Sequence, residues 1–130
     1  RLHVQVTTST VGGQLYALLE DCDGNDCIHI GHAIMDLRYH EGGEELSSTW
    51  LPVLETITAN MEFIALDAEI MAGHTLRLTL LSTGEDYLPA STSSIVTIVE
   101  GEGSTLQLDT FNPDDKLYWI PPICTHEVCE

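Results

Sequence analysis

The sequence predicts an all-β fold, an antiparallel sandwich of two sheets. Three observations carry that expectation. Apolar and polar residues alternate with period two in several stretches of strand length, as they do where one face of a strand meets a core and the other meets water. Turn signals such as Gly12-Gly13, Asp23-Gly24 and Gly101-Glu102-Gly103 recur between those stretches. No stretch reads as a helix that could serve as a crossover, so adjacent strands should run antiparallel.

Leu2 to Thr8 opens the chain with Leu2, Val4 and Val6 set against His3, Gln5 and Thr7, a half-buried strand. Gln14 to Glu20 is apolar on both faces, the pattern of a central strand covered on two sides. Asp21 to Asp26 then reads as a hairpin loop turning at Asp23-Gly24. Cys27 to His40 changes phase: Ile28 and Ile30 are apolar at even positions, whereas Ala33, Met35, Leu37 and Tyr39 continue at odd ones. A strand changes its buried face only by inserting a residue, which places a β-bulge at Gly31. Unbroken alternation would put His29 and His32 on opposite faces, which weighs against reading the pair as metal ligands; only the bulge can bring them together.

Glu41 to Ser48 is a polar loop, and Pro52 makes Trp50 to Val53 an edge or a connection. Thr56 to Leu66 resumes as a strand with Ile57, Ala59, Met61 and Phe63 on one face. Ala68 to Gly84 runs through a glycine corner at Gly73 into the alternation Leu76, Leu78, Leu80 against Thr75, Arg77, Thr79. This segment is expected to be the long buried central strand about which the chain is organised. Ile95 to Glu100 and Ser104 to Thr110 form a second hairpin. The sandwich should therefore span residues 1–110. Residues 111–130, with Pro113, Pro121, Pro122, Tyr118 and Trp119, read as an ordered apolar tail lying on this sandwich or on a neighbour's.

The totals limit the function. At 130 residues the chain has the size of one domain, and 43% apolar residues make it globular. A net charge of −17 repels phosphate backbones and anionic lipid, which argues against nucleic acid or a membrane surface as partner. No apolar run approaches the ~20 residues of a membrane helix. Nothing resembling a signal peptide precedes the first strand, so a removed leader or a larger parent chain is expected. The acidic excess suits either a saline exterior or cation binding by clustered carboxylates.

Four cysteines fall in two identical spacings, Cys22-x4-Cys27 and Cys124-x4-Cys129. Two local disulfides in a secreted protein fit better than a metal site spread over loops about a hundred residues apart. Asp21, Asp23 and Asn25 imitate the first half of a calcium loop, but Asp26 stands where the sharp turn wants Gly. What remains is a loose calcium site from Asp21, Asp23 and Asp26, set against the simpler reading of a polar hairpin tip. No other cofactor is expected.

The order of several pieces resembles the C-terminal β-sandwich of X-prolyl dipeptidyl-peptidases and the cocaine-esterase-like α/β-hydrolases. These pieces are the opening LHVQV, the segment Gly13 to Asp21 followed by Asp23-Gly24, Gly31 to Tyr39, Met61 to Leu66, Ala72 to Leu78 (AGHTLRL) and Ser104 to Leu108. The closing strand departs from the family in having Asp109 where a proline would stand, and the tail after Thr110 matches nothing in it. The resemblance implies a jelly-roll, galactose-binding-like variant of the sandwich. It also implies an accessory role beside a serine-hydrolase domain acting on X-Pro peptides or esters.

The chain contains no G-x-S-x-G nucleophile elbow, so on its own it is expected not to be an enzyme. Gly31, Gly73, His74 and Arg77 are read as structural, with His74 satisfying loop carbonyls at a strand entry. Two other functions compete with the accessory domain. One is a stand-alone extracellular module binding carbohydrate or another ligand through Trp50, Tyr87, Tyr118 and Trp119. The other is a subunit that polymerises by exchanging its apolar tail with a neighbour's sheet.

Overall fold

Leu2, Val4 and Val6 alternate with His3, Gln5 and Thr7, and that pattern becomes the first strand, β1 (Leu2–Thr8), with its apolar positions fully buried. The computed structural model describes residues 1–41, 49–64, 68–84, 86–88, 93–99 and 101–109. Within them follow β2 (Gln14–Asp23), β3 (Asp26–Asp36), β4 (Ile57–Met61), β5 (Thr75–Leu81), β6 (Val96–Ile98) and β7 (Thr105–Leu106). All pairings are antiparallel. One sheet has β1 between β4 on one edge and β6 and β7 on the other; the second has the order β3-β2-β5. The protein is an all-β, two-sheet antiparallel sandwich.

The core lies between the sheets. Leu2, Val4, Val6, Ile57, Ala59 and Met61 come from the first sheet and Leu15, Ala17 and Ala33 from the second, joined by Leu37 and Leu51 from connections. The sequence expectation for β1, β2 and the inner face of β4 therefore holds. The tail 111–130, with Tyr118, Trp119, Cys124 and Cys129, lies outside the described residues.

The organising strand is not the one expected. Among the described residues β5 pairs with β2 alone, at the edge of its sheet. Its inner leucines Leu78 and Leu80 are only half-buried, and Leu76 is exposed. The alternation of β5 is real, but its leucines are only partly covered. Burial depends on what lies opposite a strand, and β1 and β2, flanked on both edges, are the central strands.

The expected hairpin of residues 95–110 is also overturned. β6 pairs with Val6–Thr8 and β7 with Leu2–His3, both along the same edge of β1. They are two pieces of one edge strand, interrupted by a loop. Across the gap the Gln5 N–H donates to Ser104 Oγ, and the Ser104 hydroxyl in turn donates to the Val99 carbonyl. A side-chain oxygen thus fills in for the missing ladder partner. The excursion needs Gly101, at φ +140°, where other residues would be strained.

Two further differences bear on the site. The β2–β3 loop is shorter than expected: the strands run on to Asp23 and from Asp26, and Gly24-Asn25 alone connects them. Gly24 has φ +61°, as the first position of a two-residue hairpin turn of the II′ kind requires. At its other end, β3 stops at Asp36 instead of continuing to His40. Asp36 accepts the Arg38 N–H and takes the Arg38 guanidinium in a two-pronged ion pair, so the chain enters a 3-10 turn over Leu37–Tyr39. Arg38 holds the Asp36 carboxyl below the usual aspartate range.

Candidate functional site

The outer face of the second sheet carries the densest group of chemistry-bearing side chains. β2 presents Tyr16, Leu18 and Glu20 there. Opposite them stand Ile34, His32 and His29 on β3 and Leu81, Thr79 and Arg77 on β5. The pairing slips between Leu19 and Glu20: Leu19 faces Gly31, but Glu20 faces His29, leaving Ile30 as the extra residue. This is the bulge expected at Gly31. Its consequence is geometric: His29 and His32, three apart in sequence, share one face.

The His32 ring is fixed by contacts on several sides. His32 Nδ1 lies 3.4 Å from His29 Nε2, and His32 Nε2 lies 2.9 Å from the Tyr87 hydroxyl. Tyr16 stacks on His32 with ring centroids 5.5 Å apart, and Tyr87 meets His32 edge-on. Tyr87 is positioned by the loop after β5, where its N–H donates to the Gly84 carbonyl and the Thr83 hydroxyl donates to its own carbonyl. One strand position along, Arg77 grips Glu20 through two hydrogen bonds of 2.8 and 2.9 Å. Those bonds hold the Glu20 carboxyl below its ordinary range and raise the guanidinium above its own.

A second pair sits at the inner face, near the β2–β3 hairpin. Asp21 is 4% exposed, and His74 Nδ1 lies 3.0 and 3.1 Å from its two carboxylate oxygens. His74 was expected to satisfy loop carbonyls; its ring instead meets this buried carboxylate, while its main-chain N–H donates to the Met71 carbonyl. The turn that delivers it depends on Gly73 at φ +94°. A β-carbon at Gly73 would meet nothing within 4 Å, so Gly73→Val costs backbone strain alone, ~1–3 kcal/mol. Thermal melting checks this. A drop of several degrees is expected, and a shift under one degree would show that the corner tolerates ordinary residues.

The other residues singled out by sequence are scattered. Cys22 and Cys27 are joined by the expected disulfide across β2 and β3, which fits an oxidising compartment. Asp21 is committed to His74, whereas Asp23 and Asp26 flank the turn at the exposed hairpin tip. Among the described residues no group of three His, Cys, Asp or Glu side chains is placed to hold a metal ion. Tyr87 is bound into the ring cluster, but Trp50 is 71% exposed. Val11, Val53, Leu54 and Ile95 are exposed as well. Main-chain bonds from Leu51 to Val11, Leu54 to Thr8 and Ser9 to Ile95 tie their segments to the turn that follows β1. Leu54 adopts φ +62°, a conformation that costs a side-chain-bearing residue energy.

Sequence reasoning missed the Tyr16–His32–Tyr87 stack and the Glu20–Arg77 pair. Parity held part of the signal. Tyr16, Leu18 and Glu20 share a face of β2, and the bulge shifts His29 onto that face. The position of Tyr87 on a connecting loop left no period to follow.

No protein-family model matches the sequence, and no curated protein or solved structure proved similar to it.

Proposed function

We propose that this chain is a non-catalytic sandwich that docks as an accessory domain against a larger catalytic body, of the kind that secreted serine hydrolases carry for X-Pro peptides or esters. The observation that carries the reading is the exposure of Val11, Trp50, Val53, Leu54 and Ile95, on segments that main-chain bonds tie to the turn after β1. Exposed apolar surface of this kind on a soluble domain marks interaction sites. Leu54 is held there in a strained backbone conformation, as positions that serve recognition often are. The resemblance of Ala72 to Leu78 and its flanking segments to the hydrolase accessory domain supplies the type of body. The residues of that motif serve the fold: Gly73 turns the chain, His74 bonds to Asp21 and Arg77 pairs with Glu20.

Purified alone, the chain is expected to hydrolyse neither X-Pro-p-nitroanilides nor p-nitrophenyl esters. Turnover that survives purification and is blocked by a serine-directed phosphonate would overturn the proposal. The protein isolated under native conditions from its source should run as a particle several times the 14.3 kDa of this chain, with Trp50 shielded from a collisional quencher. The exposure of Trp50 also suits a second reading, a stacking platform for a sugar ring. Retardation in a polysaccharide gel that disappears in Trp50→Ala would favour that one.

A further inference from the structure

We infer that His29 and His32 form a binding site for a zinc-class divalent cation on the outer face of the second sheet. Three observations converge on it. The Ile30 bulge brings the two imidazoles to the same face, an arrangement that regular pairing of β3 would forbid. Their facing nitrogens, His32 Nδ1 and His29 Nε2, are 3.4 Å apart. Two nitrogens bound at about 2.0–2.1 Å to one tetrahedral ion stand roughly 3.3–3.4 Å from each other, so the separation is already that of a chelating pair. His32 is also oriented from behind, because its Nε2 bonds to the Tyr87 hydroxyl. In the tautomer that donates its Nε2 proton to the Tyr87 hydroxyl, Nδ1 is the lone-pair nitrogen facing His29, the kind of outer-shell bond that sets the tautomer of a metal-binding histidine.

His29 is exposed, so its ring is free to turn its lone pair toward the same point. Glu20 occupies the position opposite His29 but is held by Arg77, and among the described residues no third side chain completes the set. Among the described residues two histidines make up the site, and the remaining coordination positions are open to water or to another donor. Imidazole pairs of this kind select zinc and its neighbours over calcium and magnesium, which prefer oxygen. A net charge of −17 raises the concentration of cations around the protein.

Titration calorimetry with zinc chloride on the whole chain, together with imidazole nitrogen NMR, tests the inference. One zinc per chain is expected, with perturbation of His29 Nε2 and His32 Nδ1. Affinity should fall at least tenfold in both His29→Ala and His32→Ala, and remain unchanged in His40→Ala. His32→Ala removes packing against Tyr16 and could unfold the sheet, but His29→Ala lies at an exposed position and keeps the test open. Unchanged affinity in His29→Ala would overturn the site. So would NMR shifts confined to other histidines, or no zinc uptake at millimolar concentration.

Discussion

Leu37→Ala is expected to destabilise the sandwich by ~2–5 kcal/mol, the cost of deleting a large buried aliphatic side chain and leaving a cavity. Leu37 is fully buried, although it lies on the 3-10 turn after β3 and not on a strand. Its main-chain N–H donates to the Gly13 carbonyl, and its side chain packs so closely that a β-carbon on Gly13 would sit 3.3 Å from Leu37 Cδ1. The turn between β1 and β2 and the turn ending β3 are thereby fastened together at one end of the core. The loss is a large share of the ~5–15 kcal/mol that holds an ordinary domain. Denaturant unfolding checks it, with exposed Val53→Ala as the control expected to change little. A Leu37→Ala variant as stable as that control would show that the turn is not part of the core.

The history of Leu37 shows what the sequence could and could not disclose. Its odd-numbered parity with Ala33 and Met35 marks it correctly as inward-facing, because both a strand and the turn that replaces it leave that side chain over the core. The same parity extends β3 too far, to Tyr39 and His40. What ends the strand is the bond from Asp36 to the Arg38 main chain and guanidinium, which competes locally with the ladder. Alternation reports which face a residue prefers; it does not report how many neighbours a strand will have. That is why β5 reads as central and, among the described residues, proves to be an edge, and why β6 and β7 read as a hairpin although both lie along β1. Non-local pairing decided those cases. The same limit applied at the candidate site. The bulge was legible from the phase change about Gly31, and with it the route by which His29 and His32 meet. The contacts of His32 with Tyr16 and Tyr87 join three separate segments, and no local pattern encodes them.

The segments of Tyr16 and Tyr87 meet at Gly84, and Gly84→Val is the second substitution expected to have a large effect. A β-carbon there would lie 2.5 to 2.9 Å from three carbons of the Tyr16 ring, distances that force something to move. The ring has little room to yield: Tyr16 is 8% exposed and packs against His32 on one side and Tyr87 on another. Nor can the Gly84 backbone withdraw freely, since its carbonyl accepts the Tyr87 N–H. Overpacking of this kind costs ~1–3 kcal/mol and sometimes more, and the rigid ring puts Gly84→Val at the upper end. A melting point lower by several degrees per kcal/mol is expected for a domain of this length. The substitution should also act at a distance along the same face. Displacing Tyr16 or Tyr87 releases His32 from the contacts that orient it, so the imidazole NMR signals of His32 should shift while those of His74, bonded to Asp21 on the opposite face, stay in place. A Gly84→Val protein that melts like the parent, with His32 unmoved, would mean that the loop after β5 can lift off the sheet at no cost. In that case the ring cluster would not be what fixes His32.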